Sequence, residues 1–264
     1  MSDLAGKYRE LRGILRNLDT IAVALSGGVD STLLLHTAIS TLGTSRVLAC
    51  HIRTALQSRR TAADLAEVLS RDFPASLEVH FLELAPLTWP EFMVNDSSRC
   101  YVCKLRMYGA LLDFARGHGF TVLADGTNDD DLHQFRPGLR AIAELGVVTP
   151  LAQVGLGKSE IRQLARSLGL GNHDQPANSC LATRVATGLA ICRDELARVE
   201  AAEEALWALG FWGCRVRRHP GYYLIEIREG DFASLIDPAL RQLIDERLAQ
   251  ILPLPAMLSL AGRK

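Results

Sequence analysis

The order of apolar and polar positions predicts alternating short strands and helices in the first two thirds of the chain. An apolar run at residues 20–25 breaks at a serine-glycine-glycine turn and continues into a helical pattern over residues 31–39. Further apolar runs alternate with helical stretches in the order 47–52, 59–71, 77–82, 103–116, 121–124 and 158–168. This alternation predicts an α/β fold, a parallel sheet with helices on both faces.

The pattern changes near residue 173. Residues 174–188 lack periodicity and are interpreted as a functional loop between two domains. The elements predicted after it are a helix, two strands and a helix, at 193–209, 214–218, 222–227 and 238–251. We therefore predict a nucleotide-binding domain at residues 1–173 and a smaller α+β domain at residues 174–264.

Composition and charge limit the classes of partner. Apolar residues make up 48% of the 264 residues and the formal net charge is −1, so no strong field attracts nucleic acid or an anionic membrane. Charged residues interrupt positions 1–18, and no run of about 18 apolar residues occurs. We predict a cytoplasmic protein without nucleic-acid or membrane partners, whose six cysteines lie in a reducing compartment.

A glycine-containing loop after the first strand predicts a phosphate site. It consists of Ser26, Gly27, Gly28, Val29, Asp30 and Ser31. Glycines allow close backbone approach, and amides at a helix N-terminus bind anions. No Gly-Lys-Ser/Thr follows, so the loop is not a Walker A motif; this favours chemistry in which pyrophosphate leaves as a unit. The loop resembles that of the PP-loop ATPases, which implies that Asp30 helps to hold Mg²⁺ and that Ser26 and Ser31 contact ATP phosphates.

Three cysteines are predicted to be reactive. Cys100 and Cys103 form a Cys-x-x-Cys motif at a helix start, where Arg99 and Lys104 favour thiolates, and Cys180 lies in the 174–188 loop. Three thiolates without a nearby histidine favour a [4Fe-4S] cluster with one open iron. A redox dithiol, a zinc site and purely structural cysteines remain alternatives from spacing alone. The other cysteines are interpreted as small apolar residues: Cys50, Cys192 and Cys214.

Five motifs together resemble the LarE family of sulfur transferases over about residues 10–230. They are Arg99-Cys-Tyr-Val-Cys-Lys104, Ala124-Asp-Gly-Thr-Asn-Asp-Asp-Asp131, Arg136-Pro-Gly-Leu-Arg140, Pro150-Leu151 and Asn178-Ser-Cys-Leu-Ala-Thr-Arg184. Family members adenylate a carboxylate of pyridinium-3,5-biscarboxylic acid mononucleotide and replace oxygen by sulfur, on the way to a nickel-pincer cofactor. The resemblance implies an enzyme with ATP, a small nucleotide substrate, a sulfide donor and a homo-oligomeric state. The C-terminal domain is then expected to serve substrate binding, sulfur transfer and oligomerisation.

The resemblance also separates two sources of sulfur. In some relatives the residue matching Cys180 gives up its own sulfur, whereas in others three cysteines hold a [4Fe-4S] cluster that carries a transferable sulfide. Because Cys100 and Cys103 accompany Cys180, this chain resembles the second subgroup.

Further site residues are implied by the same motifs. The nucleotide pocket is expected to include Asp125, Thr127 and Asn128, and the substrate phosphate is expected to meet Arg184, Arg215 and Arg217, since guanidinium groups suit phosphate. Asp129 and Asp130 are predicted either to contact magnesium or substrate, or to belong to a solvated turn or helix cap. Arg215 and Arg217 alternatively form a solvated strand face. His133 is interpreted as a surface residue. Glu200 and Glu203 are interpreted as surface charges of a helix, with a role in orienting the arginines as the alternative.

The same residues are also compatible with other functions. A PP-loop transfer-RNA thiolase also uses three cysteines, but the near-neutral charge argues against it. An amidotransferase-like ligase requires an ammonia source that the sequence does not contain. A non-enzymatic alternative is an ATP-responsive module or an iron–sulfur scaffold, which binds ATP without releasing pyrophosphate.

Overall fold

A computed structural model describes residues 4–134, 136–176 and 179–263. The strands are β1 (Ile21–Ala24), β2 (Val47–Arg53), β3 (Val79–Glu83), β4 (Leu123–Ala124), β5 (Arg215–His219), β6 (Tyr222–Glu226) and β7 (Ala256–Leu258). The helices are α1 (Leu4–Leu18), α2 (Val29–Leu42), α3 (Arg59–Asp72), α4 (Pro90–Met93), α5 (Arg99–Gly117), α6 (Asp129–Leu132), α7 (Pro137–Glu144), α8 (Pro150–Gln153), α9 (Lys158–Ser167), α10 (Arg193–Ala208) and α11 (Pro238–Ala249). Among these helices of the described residues, none is long and apolar enough to cross a membrane.

The chain forms two compact units. The first unit comprises Met1–Thr54, Arg59–Ala85 and Cys100–Asn178, and the second comprises Ala55–Ser58, Pro86–Arg99 and Ser179–Lys264. Two short segments of the N-terminal half therefore pack with the C-terminal unit, which local sequence patterns do not show. The predicted boundary between residues 173 and 174 remains a prediction.

A parallel four-stranded sheet forms the centre of the first unit, in the order β3-β2-β1-β4. Every pairing in it is parallel, with Ile21 opposite Val47 and Ala22 opposite Leu123. From β1 the chain adds β2 and β3 on one side of β1, and it then adds β4 on the other side. Ligands bind in open α/β sheets where the strand order reverses in this way, outside the carboxyl ends of the strands. The fold therefore predicts a ligand site at the loops that follow β1 and β4.

Both faces of this sheet are covered, which confirms the predicted fold class. Ile21 and Val23 of β1 pack into one apolar core with residues of α1, α2 and α9. Ala22 and Ala24 point to the opposite face and join a second core with residues of α5 and α7. A strand buried on both faces has no polar side, so β1 appears in the sequence as a continuous apolar run.

The second unit contains a three-stranded mixed sheet in the order β5-β6-β7. Strands β5 and β6 are antiparallel, and β7 joins β6 in parallel. Residues of α10, α11, β5 and β6 form its apolar core. This confirms the predicted α+β region. The sequence did not predict β7, because its three residues are exposed and only the pairing with β6 makes them a strand.

Candidate active site

The loop between β1 and α2 is organised by its own hydroxyl groups. The Ser31 hydroxyl donates to the Gly28 carbonyl at 3.1 Å and accepts from the Ser26 amide at 3.1 Å. The Ser26 hydroxyl accepts from the Gly28 amide at 3.3 Å. Gly27 adopts a φ of +85°, which L-residues rarely reach. In the described residues no side chain caps the N-terminus of α2, so its first amides are available to a phosphate.

The loop after β4 packs against this phosphate loop. A Cβ atom on Gly126 would lie 2.7 Å from the Ser31 nitrogen, so only glycine allows this approach. Asp125 accepts a hydrogen bond from the Thr127 amide at 2.9 Å, and Asn128 caps α6. The predicted nucleotide residues that follow β4 are all buried: Asp125, Thr127 and Asn128. The two loops therefore lie together at the reversal point of the sheet.

Two residues of the acidic run after Asn128 have structural partners. Asp131 completes the capping box of α6. Asp130 accepts a hydrogen bond from the Lys158 amide at 2.7 Å, at the beginning of α9. These contacts match the interpretation as helix caps, while contacts of Asp129 and Asp130 with magnesium or substrate remain predictions. The His133 side chain is 75% exposed, as expected for a surface residue.

Asp30 and Lys158 form an ion pair beside the phosphate loop. Lys158 Nζ lies 2.6 Å from Asp30 Oδ2. Burial raises the pKa of the Asp30 carboxyl, and Lys158 opposes that shift. Asp30 Oδ1 is buried without a hydrogen-bond partner among the described residues, and such an oxygen can coordinate a metal ion. Sequence reasoning missed Lys158; the available signal was a lysine at a helix N-terminus, where the dipole disfavours a cation.

A second pair of residues that sequence reasoning missed, Lys104 and Tyr108, links α5 to the predicted nucleotide loop, which is the segment 125–128 after β4. Lys104 Nζ donates to the Tyr108 hydroxyl at 2.8 Å, and this hydroxyl donates to Asp125 Oδ2 at 2.9 Å. Burial, together with the charge on Asp125, raises the pKa of Tyr108 well above its ordinary value. Tyr108 therefore keeps its proton and remains a donor to Asp125. A buried tyrosine in a helix pattern gives no sequence signal for this role.

The cysteines of the predicted cluster belong to different units. Cys100 and Cys103 lie one turn apart at the start of α5 in the first unit, both partly buried. Cys180 is exposed in the second unit, just before the 3-10 turn Leu181–Arg184. Among the described residues no group of three or more His, Cys, Asp or Glu side chains is arranged to hold a metal ion. Asn178, which begins the Cys180 motif, lies outside the described residues.

An arginine cluster lies in the second unit. Arg184 and Arg215 are 2% and 5% exposed, so the solvated-face alternative for Arg215 is wrong. Burial, and next the charge of Arg184, lower the pKa of Arg215 to about 10. The arginine cluster and the carboxylates that interact with it are Arg184, Arg215, Arg217, Arg263, Glu203 and Glu226. Four guanidinium groups meet two carboxylates, and this excess of positive charge favours an anion.

Glu203 is not a surface charge, in contrast to the first interpretation from the sequence; its contact with Arg184 agrees with the alternative, an orienting role. It is 3% exposed, and its Oε1 accepts from Arg184 Nε at 2.9 Å and from the Val216 amide at 3.0 Å. The pattern of α10 failed to predict this because a glutamate on an amphipathic helix is normally solvated. The Arg184 guanidinium group of the 3-10 turn and the Val216 amide of β5 together make its burial tolerable.

The phosphate loop at the reversal point of a parallel sheet, with an aspartate and a lysine beside it, defines a PP-loop nucleotide-binding protein. The chain belongs to the LarE family of sulfur transferases, because it is 34% identical over 246 residues to the pyridinium-3,5-bisthiocarboxylic acid mononucleotide synthase of Lactiplantibacillus plantarum. The alignment covers 92% of this chain and 88% of that synthase.

Two further relatives are uncharacterised proteins. One, from Synechocystis sp., is 34% identical over 224 residues, 85% of this chain and 82% of the relative. The other, from Methanocaldococcus jannaschii, is 31% identical over 217 residues, 82% of this chain and 81% of the relative. No family model matches the chain. The family assignment therefore rests on pairwise similarity along most of the chain.

Proposed function

We propose that this chain is an ATP-dependent sulfur transferase that adenylates a carboxylate of pyridinium-3,5-biscarboxylic acid mononucleotide and replaces its oxygen by sulfur. The reaction belongs to nickel-pincer nucleotide cofactor biosynthesis. The observation that carries the proposal is the 34% identity, over 92% of the chain, to a synthase of the corresponding bisthiocarboxylic acid. Two regions of the structure support it: the phosphate loop and the arginine cluster.

Activation uses the residues around the phosphate loop. The loop amides, Ser26 and Ser31 bind the ATP phosphates, and Lys158 offers its charge to the leaving pyrophosphate. A carboxylate oxygen of the substrate attacks the α-phosphorus, and the bond from this phosphorus to the bridging oxygen breaks. Preorganised donors stabilise the charge that develops on the leaving group. The partnerless Asp30 Oδ1 fits Mg²⁺, which when bound neutralises phosphate charge.

Substrate recognition is assigned to the arginine cluster. A nucleotide monophosphate carries about two negative charges at neutral pH. The excess of guanidinium over carboxylate groups around Arg215 and Arg217 supplies matching positive charge. Arg184 is largely occupied by Glu203 and by its own turn, so it contributes to the field more than to direct contact. Asp125, Thr127 and Asn128 are assigned to the nucleoside of ATP.

The sulfur step is assigned to three cysteines. Cys100, Cys103 and Cys180 would hold a [4Fe-4S] cluster, an assignment that rests on the sequence motifs and on a thiol donor set that suits iron. When bound, the cluster would supply the sulfide that replaces AMP on the activated acyl carbon. The alternative is that the exposed Cys180 gives up its own sulfur.

The test is product analysis with purified protein, ATP, Mg²⁺, a sulfide source and the biscarboxylic mononucleotide. We expect AMP, pyrophosphate and a substrate whose mass shows oxygen replaced by sulfur. Transfer RNA serves as a competing acceptor, and thiolation of it instead would favour the transfer-RNA thiolase. No AMP above background with either acceptor would refute the adenylation.

A matched pair of variants tests the site itself. Asp30→Asn removes the carboxylate beside the loop, and we expect pyrophosphate release to fall about 100- to 1000-fold, as for loss of a charge-stabilising group. Asp19→Asn is the control, since Asp19 pairs with Arg46 on the surface of the same unit. Equal activities of the two variants would contradict the role of Asp30. The cytoplasmic location and the homo-oligomer remain predictions, tested by fractionation and by sedimentation.

A further inference from the structure

Arg184 binds the turn that carries Cys180. We call residues 179–185 the cysteine turn. Arg184 Nη1 lies 3.0 Å from the Ser179 carbonyl, 2.6 Å from the Ser179 hydroxyl and 3.0 Å from the Thr183 hydroxyl. The Thr183 hydroxyl in turn donates to the Cys180 carbonyl at 2.8 Å. The backbone on both sides of the Cys180 side chain is therefore held by one guanidinium group and one hydroxyl.

Glu203 fixes the other side of this guanidinium group. Its two oxygens accept from Arg184 Nε at 2.9 Å and from Nη2 at 3.3 Å. Oε1 also accepts from the Val216 amide at 3.0 Å. Arg184 and Glu203 are both almost fully buried; Arg184 belongs to the 3-10 turn and Glu203 to α10. The ion pair thus connects the cysteine turn to α10 and β5.

Two other arginines of the second unit complete the arrangement. Arg99 donates to the Ala182 carbonyl at 2.9 Å, and Arg217 donates to the Thr183 carbonyl at 2.9 Å. Amides of the segment are also bonded, for example that of Ala186 to the Arg218 carbonyl at 2.9 Å. An exposed loop that needed only solubility would not require such a set of charged donors.

We infer that the Arg184–Glu203 ion pair, acting through the Thr183 hydroxyl, is a positioning device that holds the Cys180 turn in the geometry required for sulfur transfer. The inference rests on the proposed function, because it takes Cys180 as a residue that handles sulfur. Arg184 and Glu203 act through the backbone of Cys180 and are positioning residues. A buried ion pair is weak evidence for stability alone, since an uncharged pair of similar volume often stabilises as well.

The first variant pair leaves the ion pair intact. Thr183→Val removes the hydroxyl that donates to the Cys180 carbonyl at 2.8 Å and leaves only the longer direct contact, 3.4 Å, from Arg184 Nη1 to that carbonyl, whereas Thr183→Ser keeps the hydroxyl. We expect the Val variant to lose sulfur-transfer kcat about 10- to 100-fold, as for a misplacement of about 1 Å, while the Ser variant recovers it. The KM for ATP and the release of pyrophosphate are expected to stay at wild-type values. Equal sulfur-transfer rates in the two variants of an active enzyme would overturn the inference.

The second variant pair replaces both members of an ion pair by uncharged residues, so that neither member is left charged without the other. Arg184→Met/Glu203→Gln removes the device, and Arg228→Met/Asp231→Asn removes a surface pair of the same unit with the same two-bond geometry. Hydrogen exchange of the amides at 181–186 is the readout. We expect them to exchange about tenfold faster or more in the first double variant, the change produced by losing a charge-assisted hydrogen bond. Unchanged exchange would refute the positioning role.

The two readouts separate failure of the inference from failure of the proposed function. Hydrogen exchange reports on the cysteine turn whether or not the protein transfers sulfur. A wild type that forms no thiocarboxylate, with exchange still accelerated in the double variant, would refute the proposed function and support the mechanical part of the inference. Accelerated exchange with unchanged sulfur transfer in an active enzyme would overturn the inference.

Discussion

Individual side chains at the sheet edge show how closely the nucleotide loops are packed. Gly126 approaches the Ser31 backbone, and Asp30 pairs with Lys158. Each of these contacts joins a loop residue to another segment of the first unit. Single substitutions at these positions can therefore test the predicted phosphate site.

Gly126→Ala is expected to displace the phosphate loop. Its Cβ would stand 2.7 Å from the Ser31 nitrogen and 3.0 Å from the Asp30 carbonyl carbon. Backbone cannot yield as a flexible side chain does, so we expect a loss of about 1–3 kcal/mol of stability and weaker ATP binding. The control is Gly109→Ala in α5, where a Cβ meets nothing within 4 Å and the helix gains up to about 1 kcal/mol. Calorimetric ATP titration and thermal unfolding of both variants check this; full ATP affinity in Gly126→Ala would contradict it.

The buried thiols predict how stability depends on alkaline pH. Burial raises the pKa of Cys50 and of Cys214 from 9.0 to about 12. Between those values the unfolded thiol loses its proton and the folded thiol keeps it, so the free energy of unfolding falls as pH rises. Each thiol contributes at most about 1.4 kcal/mol per pH unit.

Cys50→Ala is expected to remove the contribution of Cys50 to the decrease of the free energy of unfolding with rising pH. Urea unfolding between pH 8 and pH 10.5 measures it, and Cys192→Ala, which keeps both buried thiols, is the control. The comparison of slopes is independent of any cavity that the substitution creates. A slope of Cys50→Ala equal to that of wild type would show that Cys50 does not resist ionisation.

At the scale of elements, α5 connects the Cys-x-x-Cys motif to the nucleotide loop. Its first turns carry Cys100 and Cys103, and one turn later Tyr108 hydrogen-bonds Asp125. Near the same end of α5, Tyr101 donates to Glu144 of α7 at 2.6 Å. Two tyrosine hydroxyls of α5 therefore donate hydrogen bonds to two different carboxylates, so that Tyr→Phe substitutions at the two positions can be compared.

Tyr108→Phe is expected to slow adenylation, because it leaves Asp125 and Lys104 without their shared hydroxyl. Loss of a hydrogen bond to a charged group predicts a decrease of about tenfold or more in the rate of pyrophosphate release. Tyr101→Phe removes the same atom from the same helix away from the nucleotide loop. We expect it to keep the wild-type rate. Burst kinetics of pyrophosphate release distinguish the two, and a Tyr108→Phe enzyme at full rate would exclude this contact from catalysis.

For the chain as a whole, the three cysteines that are predicted to bind a cluster are divided between the two units. Cys100 and Cys103 belong to the first unit and Cys180 to the second. Ala55–Ser58 and Pro86–Arg99 also leave the first unit to pack with the C-terminal part, so the chain crosses between units more than once.

Anaerobic purification is expected to yield about four irons and four sulfides per chain, the content of one cubane cluster. Single replacement of Cys100, Cys103 or Cys180 by alanine is expected to abolish this content, and Cys192→Ala is expected to retain it. Iron and acid-labile sulfide assays with an absorption spectrum make the comparison. A wild type without iron after reconstitution would leave Cys180 as the sulfur source.

Local patterns in the sequence were sufficient to predict the strand–loop–helix unit of the phosphate loop, the alternation of strands and helices, and the cysteine motifs. These features are local because a buried parallel strand needs an unbroken apolar run, and a phosphate loop needs glycine and hydroxyl residues in series. The arginines were also predictable, whereas the helical pattern around Glu203 favoured a surface position over a role in orienting them.

Contacts between side chains that are distant in the sequence depend on how the segments pack. Lys158 reaches Asp30 across 128 positions because the order β3-β2-β1-β4 brings the starts of α2 and α9 to one edge of the sheet. Burial of Glu203 and Arg184 likewise depends on α10, β5 and the cysteine turn meeting in one unit. The local sequence pattern specifies whether each segment prefers a helix or a strand. Which residue pairs with a given charged side chain follows from the topology. The free-energy cost of burying that charge is offset only when the folded chain brings its partner into contact.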